Sequence, residues 1–334
     1  MATKTLNQNI NQAINDFKGV KQAIIDKGVE IPSGTPTSEY GAKISEIQSG
    51  GSGGLDTSGV TDFYYFCRNN RLIDQVDKLD TSNGTNFNFM FDGCSRLTEI
   101  PQLDTSNGTT FQSMFDGCTS LTTIPQLDIS NGTNFNYMFD GCSRLTEIPQ
   151  LDTSNGTDFS YMFRGSGLTK IPQLDTSQGT RFHNMFEACS SLTSIPELDT
   201  SQGTVFSYMF YQCRNLTRVP PLNTSKGTNL AWMFRYCSRL TTIELTSFVT
   251  GQYMFGGCSA LENLTVTGTI TVNNNYLDLS ASTKLTVDSL LNVLNALADN
   301  TGKTTYKITL GATNLAKLTD EQKAIATNKN YTLA

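Results

Sequence analysis

The chain has 334 residues, a formal net charge of −6 and a pI ≈ 4.9. That acidity argues against nucleic acid or an anionic membrane as the main partner, and no apolar run approaches the roughly 18 residues of a membrane span. The length leaves ample room for a hydrophobic core.

Residues 1–48 open the chain. Leu6, Ile10, Ala13, Phe17, Val20 and Ile24 are spaced 4, 3, 4, 3 and 4 apart, an a/d seam that ends near Gly28. Thr35 and Pro36 read as the N-cap and first residue of a second short helix with Tyr40, Ile44 and Ile47 on one face. A lone helix this short is marginal in water. The segment is therefore expected to serve oligomerisation or docking, the other reading being a helical hairpin packed on itself. The first residues, MATKTLNQNINQ, lack the apolar stretch of a secretory signal. Residues 49–54 (SGGSGG) read as a flexible linker.

From Leu55 to about Leu264 one unit recurs. LDTSNGTNFNFMFDGCSRLTEIPQ occupies residues 79–102 and returns, slightly varied, at residues 103–126 and 127–150, a step of 24. Phe87, Met90, Phe91 and Cys94 fall at i, i+3, i+4 and i+7, which predicts one face of a short helical stretch. Gly93 suits the chain leaving it. Leu97 and Ile100 bracket Thr98 and Glu99 ahead of Pro101, which predicts a short strand. Asp80 to Gly84 is turn chemistry, with Asn-Gly as a cheap source of positive φ. A single repeat cannot bury these apolar side chains; stacked repeats cover one another. The first coil, residues 55–78, departs from the pattern as a terminal cap does, and Cys67 falls off the cysteine ladder. The fifth loses its cysteine at Ser166, and the ninth is shortened before Met254 and Phe255.

After Leu264 the period breaks. Val266, Ile270 and Val272 predict strands, and Leu290, Leu291, Leu294 and Leu297 an amphipathic helix. Tyr306 to Leu310 reads as a strand. Thr319 and Gln322 form a capping box for a last helix, and Tyr331 to Leu333 closes the chain as a strand. Residues 265–334 are expected to be a small α/β C-terminal cap.

The MF-x-G-C-x-x-L-T-x-I segments, such as Met90 to Ile100, joined by L-D-T-S-x-G-T, resemble BspA-like leucine-rich repeats. The resemblance implies an α/β leucine-rich-repeat solenoid of about nine coils over residues 55–264. Its members are mostly surface adhesins or binding proteins, with no catalytic residues to carry over. A second stretch, Val20 to Pro32 (VKQAIIDKGVEIP) and Gly34 to Tyr40 (GTPTSEY), is similar to a segment of tail and structural proteins of phages that infect Gram-positive bacteria. It implies a virion component made in the host cytoplasm without a signal peptide.

Several columns recur at the repeat spacing. Cys94, Cys118, Cys142, Cys189, Cys213, Cys237 and Cys258 share one position, form no C-x-x-C pair, and are expected to be buried thiols rather than zinc ligands or disulfides. Asp56, Asp80, Asp104, Asp128, Asp152, Asp175 and Asp199 share another, and are expected to cap their own turns by accepting from the following Thr and Ser; calcium bridging the row is the rival reading. Asn83, Asn107, Asn131 and Asn155 match the N-glycosylation sequon, which without a signal is expected to stay unmodified. The single histidine, His183, is expected on the surface, and no nucleophilic relay, phosphate loop or isolated carboxylate pair points to catalysis. The chain is therefore expected to be no enzyme, with neither cofactor nor metal.

Two columns are candidates for binding. The residue before each Met-Phe pair is Phe89, Ser113, Tyr137, Tyr161, Asn184, Tyr208, Trp232 and Tyr253. About 200° around a helix from Phe87, it points away from the core. Phe89, Tyr137, Tyr161, Tyr208, Trp232 and Tyr253 either pack flat over neighbouring coils or form an exposed strip that stacks on sugars or a protein. The second column includes Glu99, Glu147, Lys170 and Arg218, between inward Leu and Ile on the expected strand, and varies in charge where its surroundings do not. Arg164, Arg181, Arg214, Arg218 and Arg235 crowd the later coils and suit an anionic wall polymer. Together these features lead to a non-enzymatic phage tail or receptor-binding protein, trimeric through its N-terminal seam. It would bind a host cell-surface glycan or protein and other tail proteins, with neither nucleic acid nor membrane as partner. The alternatives are a bacterial BspA-like surface adhesin and a structural virion spacer.

Overall fold

The computed structural model describes Thr57, residues 59–68 and residues 79–334. The N-terminal seam from Leu6 to Ile24 and the 49–54 linker lie outside the described residues. The chain divides into two compact units, Met1–Asn155 and Gly156–Ala334, and both have a repeat architecture.

In the first unit the apolar periodicity is real but its backbone is not a helix. Met90 N–H bonds the Phe87 carbonyl at 3.3 Å and Cys94 N–H the Phe91 carbonyl at 3.0 Å, closing successive tight turns. The intervening amides face the next repeat instead. Phe87, Phe89, Phe91 and Gly93 donate to the carbonyls of Thr110, Gln112, Met114 and Asp116 at 2.7–3.0 Å. An α-helix would spend those N–H groups within itself and leave a repeat no backbone means of holding its neighbour. Alternation becomes feasible because Phe89 (φ 57°) and Gly93 (φ 72°) sit in the left-handed region. The side chains of Phe87, Met90, Phe91 and Cys94 are nonetheless all fully buried, as a helical face would have them.

The expected strand is also reduced. Among the described residues of the first unit there is neither α-helix nor extended strand, only isolated bridges such as the parallel ones from Asp62 to Asn86 and Asn86 to Thr110. At the Leu97–Ile100 position Thr122 joins its neighbour through both its amide and its hydroxyl, which donate to the Thr98 carbonyl at 3.0 and 3.1 Å.

The interior is built from columns of one residue type. Phe63, Phe87 and Phe111 stack at 5.5 and 5.6 Å with ring planes within 3°. Phe91, Phe115 and Phe139 form a second pile at 5.6 Å. A β-carbon on Gly108 would lie 2.5 Å from the Phe111 ring and 2.9 Å from Phe87. That glycine exists to let rings close on the backbone, and it does not carry the positive φ expected of Asn-Gly. Each ladder cysteine, from Cys94 to Cys258, donates its thiol to a carbonyl one repeat back, as Cys118 does to Phe91 at 3.1 Å. Cys67 is off that ladder as expected. Its amide bonds Met90 as that of Phe91 bonds Met114, so it fills the phenylalanine column. All eight cysteines are buried thiols.

The second unit repeats this plan, with Phe182 between Phe159 and Phe206 at 5.7 and 5.6 Å. It then changes. Strand β1 (Thr242–Leu245) pairs in parallel with β3 (Asn263–Val266), and β2 (Phe248–Val249) with β4 (Ile270–Thr271). Helix α1 (Val287–Ala296) follows. Its Ser289 and Asn292 side chains accept from Leu264 and Val266 N–H, both at 2.7 Å, so a helix satisfies the open edge of β3. The buried α1 face is Ser289, Leu290, Val293 and Leu294, and Leu291 is only half-buried, contrary to the leucine spacing. Strand β5 (Tyr306–Ile308) pairs in parallel with β6 (Tyr331–Leu333). A one-turn helix the sequence did not reveal, α2 (Ala312–Leu315), precedes α3 (Asp320–Thr327), whose Thr319–Gln322 capping box forms as expected. Lys329 closes the C-terminus of α1 by donating to the Asn295 and Leu297 carbonyls at 2.7 and 2.8 Å.

Candidate functional site

The residue ahead of each Met-Phe pair has one backbone state throughout. Tyr65, Phe89, Ser113 and Tyr137 in the first unit, and Tyr161, Asn184, Tyr208, Trp232 and Tyr253 in the second, all have φ between 53° and 64°. Gly or Asn occupies this region cheaply; a bulky residue costs about 1–2 kcal/mol there. Ser113 and Asn184 meet the demand with small buried side chains. The aromatic members are therefore held against a conformational cost, which marks the column for function or for ring packing.

In the second unit these rings converge. Tyr208 stacks on Trp232 at 5.5 Å and 13°, and Trp232 meets Tyr253 edge-on at 5.0 Å. Tyr211 joins through Trp232 at 5.9 Å and Tyr236 at 5.9 Å. The guanidinium of Arg235 lies 4.0 Å from the centre of Trp232, 4.6 Å from Tyr253 and 4.7 Å from Tyr236. Tyr236 and Tyr253 are 39% and 45% exposed. Soluble chains normally hide such surface, and aromatic rings order at low entropic cost, so the patch suits recognition.

Of the six column aromatics, the structure thus brings together Tyr208, Trp232 and Tyr253. Phe89 belongs to another cluster, with Tyr64 and Tyr65 at 5.6 and 5.1 Å and Arg68 over Tyr65 at 4.1 Å. Tyr137 is half-buried in the first unit. Tyr161 meets His183 edge-on at 5.0 Å and carries Arg164 over its face at 4.8 Å. His183 is not the surface residue expected. It is half-buried, pairs with the buried Ser160 hydroxyl at 2.8 Å through Nδ1, and burial lowers its pKa.

Tyr211 and Tyr236 were missed as members of this site, and Arg235, read from the sequence only as one of the later-coil arginines, was not placed beside the rings. For Tyr236 a signal existed. Ala188, Gln212 and Tyr236 occupy the slot of Gly93, with φ of 57°, 62° and 65°. An aromatic residue in a glycine slot is conspicuous once that slot is known to be left-handed.

The other column behaves differently. Glu99, Glu147, Lys170 and Arg218 are exposed, but only Arg218 joins a β-bridge, to Thr242. Arg218 also lines a hollow of about 280 Å³ with Ser194, Ile195, Glu197, Pro220 and Pro221. The aspartate row caps turns through serine alone. Ser82 donates from its amide (3.1 Å) and hydroxyl (2.6 Å) to Asp80, and the pattern repeats at Asp104 and Asp128. These bonds hold the carboxyls of Asp104, Asp152 and Asp199 below their ordinary range. Thr81, Thr176 and Thr200 serve elsewhere, donating to the Asp104, Asp199 and Asn223 carbonyls at 2.8, 2.9 and 3.0 Å. The sequon residues Asn107, Asn131 and Asn155 donate to carbonyls one repeat back. Among the described residues no group of three or more His, Cys, Asp or Glu is placed to hold a metal ion, and no helix is long and apolar enough to cross a membrane.

Residues 38–147, 61–173 and 144–248 each match one protein family, described as Mycoplasma protein of unknown function, DUF285. The three matches together run from residue 38 to 248, more than half of the chain. No curated protein matches it.

Proposed function

The chain belongs to the DUF285 family of repeat proteins, and from that premise we propose that it is a non-enzymatic receptor-binding protein of a phage tail. Its repeats form a solenoid of leucine-rich-repeat type, and the solenoid presents the aromatic patch of the second unit to a glycan or protein of the host envelope. The N-terminal seam joins copies, as a trimer, and holds them to other tail proteins in the virion. Several copies, each with a modest contact, then act together by avidity. The observation that carries the reading is the patch itself: Trp232, Tyr236 and Tyr253 are aromatic in backbone positions that penalise aromatics, and Tyr236 and Tyr253 are exposed.

The family's description names Mycoplasma, and this favours a second reading, a bacterial BspA-like surface adhesin using the same patch. A spacer without a ligand would have no use for exposed rings in strained positions.

The test is binding of the purified chain to intact Gram-positive cells and their isolated wall glycans, beside a Trp232→Ser/Tyr253→Ser variant. Binding by the parent, lost in a variant with the same thermal melt, is the expected result. No binding by the parent to any envelope would overturn the proposal and leave the spacer. Detection of the chain in purified virions, or on the surface of the producing cell, separates the phage protein from the adhesin.

A further inference from the structure

We propose that the aromatic patch of the second unit takes an anionic glycan, with Arg235 reading a carboxylate or phosphate beside a sugar ring stacked on Tyr253 or Tyr236. This rests on the receptor-binding reading and narrows it to one ligand chemistry.

The argument begins with charge. The chain carries a net −6, yet no Asp or Glu occurs from Thr200 to Ile243, while Arg214, Arg218, Lys226, Arg235 and Arg239 all fall there. Tyr208, Tyr211, Trp232, Arg235 and Tyr236 of the patch fall in that basic stretch, and Tyr253 lies just beyond it. The second step is the state of Arg235. Its guanidinium is half-buried among three rings, and one of its N–H groups donates to the Tyr236 hydroxyl at 2.9 Å. No acidic side chain pairs with it among the described residues. By contrast, Arg68 beside the rings of the first unit is paired with Asp92 at 2.6 Å. A guanidinium has five donors in a rigid fork. Ring faces hold its charge in place without neutralising it or accepting along its edge. Four donors therefore remain for an incoming oxyanion, in a geometry that favours bidentate capture.

The third step is shape. Trp232 is already covered by Tyr208 and by Arg235. Tyr253 and Tyr236 are the most exposed of the rings, and their centres lie 4.6 and 4.7 Å from the guanidinium. A pyranose whose C–H face lies on one of these rings carries its substituents at the ring edge, within reach of Arg235. An anionic protein segment would also satisfy the charge, but the flat, rigid ring surface beside it favours a sugar.

The experiment uses wall polysaccharide isolated from a Gram-positive strain that the chain binds. It is presented untreated, after carboxyl reduction, and after phosphodiester removal with hydrofluoric acid. Affinities are measured for the parent, Arg235→Gln and Arg235→Lys, with a thermal melt of each as the folding control. One of the two treatments is expected to weaken the parent at least tenfold, and which one identifies carboxylate or phosphate as the source. Arg235→Gln should bind untreated glycan as weakly as the parent binds the treated one, and should not weaken further on treatment. Arg235→Lys, which keeps the charge, should retain part of the affinity. Equal binding of treated and untreated glycan, or a fully active Arg235→Gln, would overturn the anionic ligand and leave glycan binding standing, provided Trp232→Ser/Tyr253→Ser still fails to bind. Failure of the parent on every preparation would remove both proposals.

Discussion

The two units share an interior and differ in what they set on top of it. Three residues after each left-handed position, the first unit has Arg68, Asp92, Asp116 and Asp140, and the second has Arg164, Glu187, Tyr211, Arg235 and Gly256. Beneath both lie the same phenylalanine piles and thiol bonds. In the first unit the local charges are absorbed. Asp92 is paired with Arg68, and its pKa is raised by burial despite that partner; Asp140 is buried. In the second unit the column is mixed, with Arg164, Tyr211 and Arg235 beside Glu187 and Gly256, and Arg235 is half-buried among rings. The lesson is that a repeat protein can hold its scaffold constant by residue type and still vary its surface at the few positions whose backbone is fixed but whose side chain is not.

The largest expected effect tests the shared half of that comparison. Phe111→Ala in the first unit and Phe206→Ala in the second should each cost about 3–5 kcal/mol, because each removes a ring from a fully packed pile. Denaturant unfolding would measure it. A cost confined to one unit would show that the two interiors are not equivalent.

The thiol ladder sets the next test. Burial raises the thiols of Cys118, Cys213 and Cys237 well above 9.0 and pushes Cys258 up to about 12. An unfolded thiol ionises first, so stability is full below pH 9 and is lost as pH rises from about 9 toward 12. A melting temperature flat to pH 9 and falling steeply above it is expected, with slow thiol labelling at neutral pH. Rapid labelling of the native chain would sink the ladder as a buried feature.

The smallest effect sharpens the difference between the units. Tyr253→Asn should raise stability by about 1 kcal/mol, since Asn tolerates the left-handed region and the ring is only partly buried. The same change should abolish envelope binding. Phe89→Asn in the first unit should leave binding intact. A destabilised Tyr253→Asn would mean that the ring is there for packing.

The 24-residue period, the buried set at Phe87, Met90, Phe91 and Cys94, the serine-capped aspartates and the Thr319 capping box were all legible in the sequence. Burial spacing and local capping depend on residues a few places apart, and a repeated sequence states them many times over. Helix and strand were not legible as such. The i, i+3, i+4, i+7 spacing fits a helix and fits alternating left- and right-handed turns equally well, because both bring the same side chains inward. Only the presence of a neighbour 24 residues away, whose carbonyls take every second amide, makes the turns the better solution. The candidate site divides in the same way. Its column of aromatics could be read off the repeat. That Tyr208, Trp232 and Tyr253 meet, that Tyr236 enters through a glycine slot, and that Arg235 lies among them with no acidic partner among the described residues depend on contacts across repeats, where distance along the chain says nothing about distance in space.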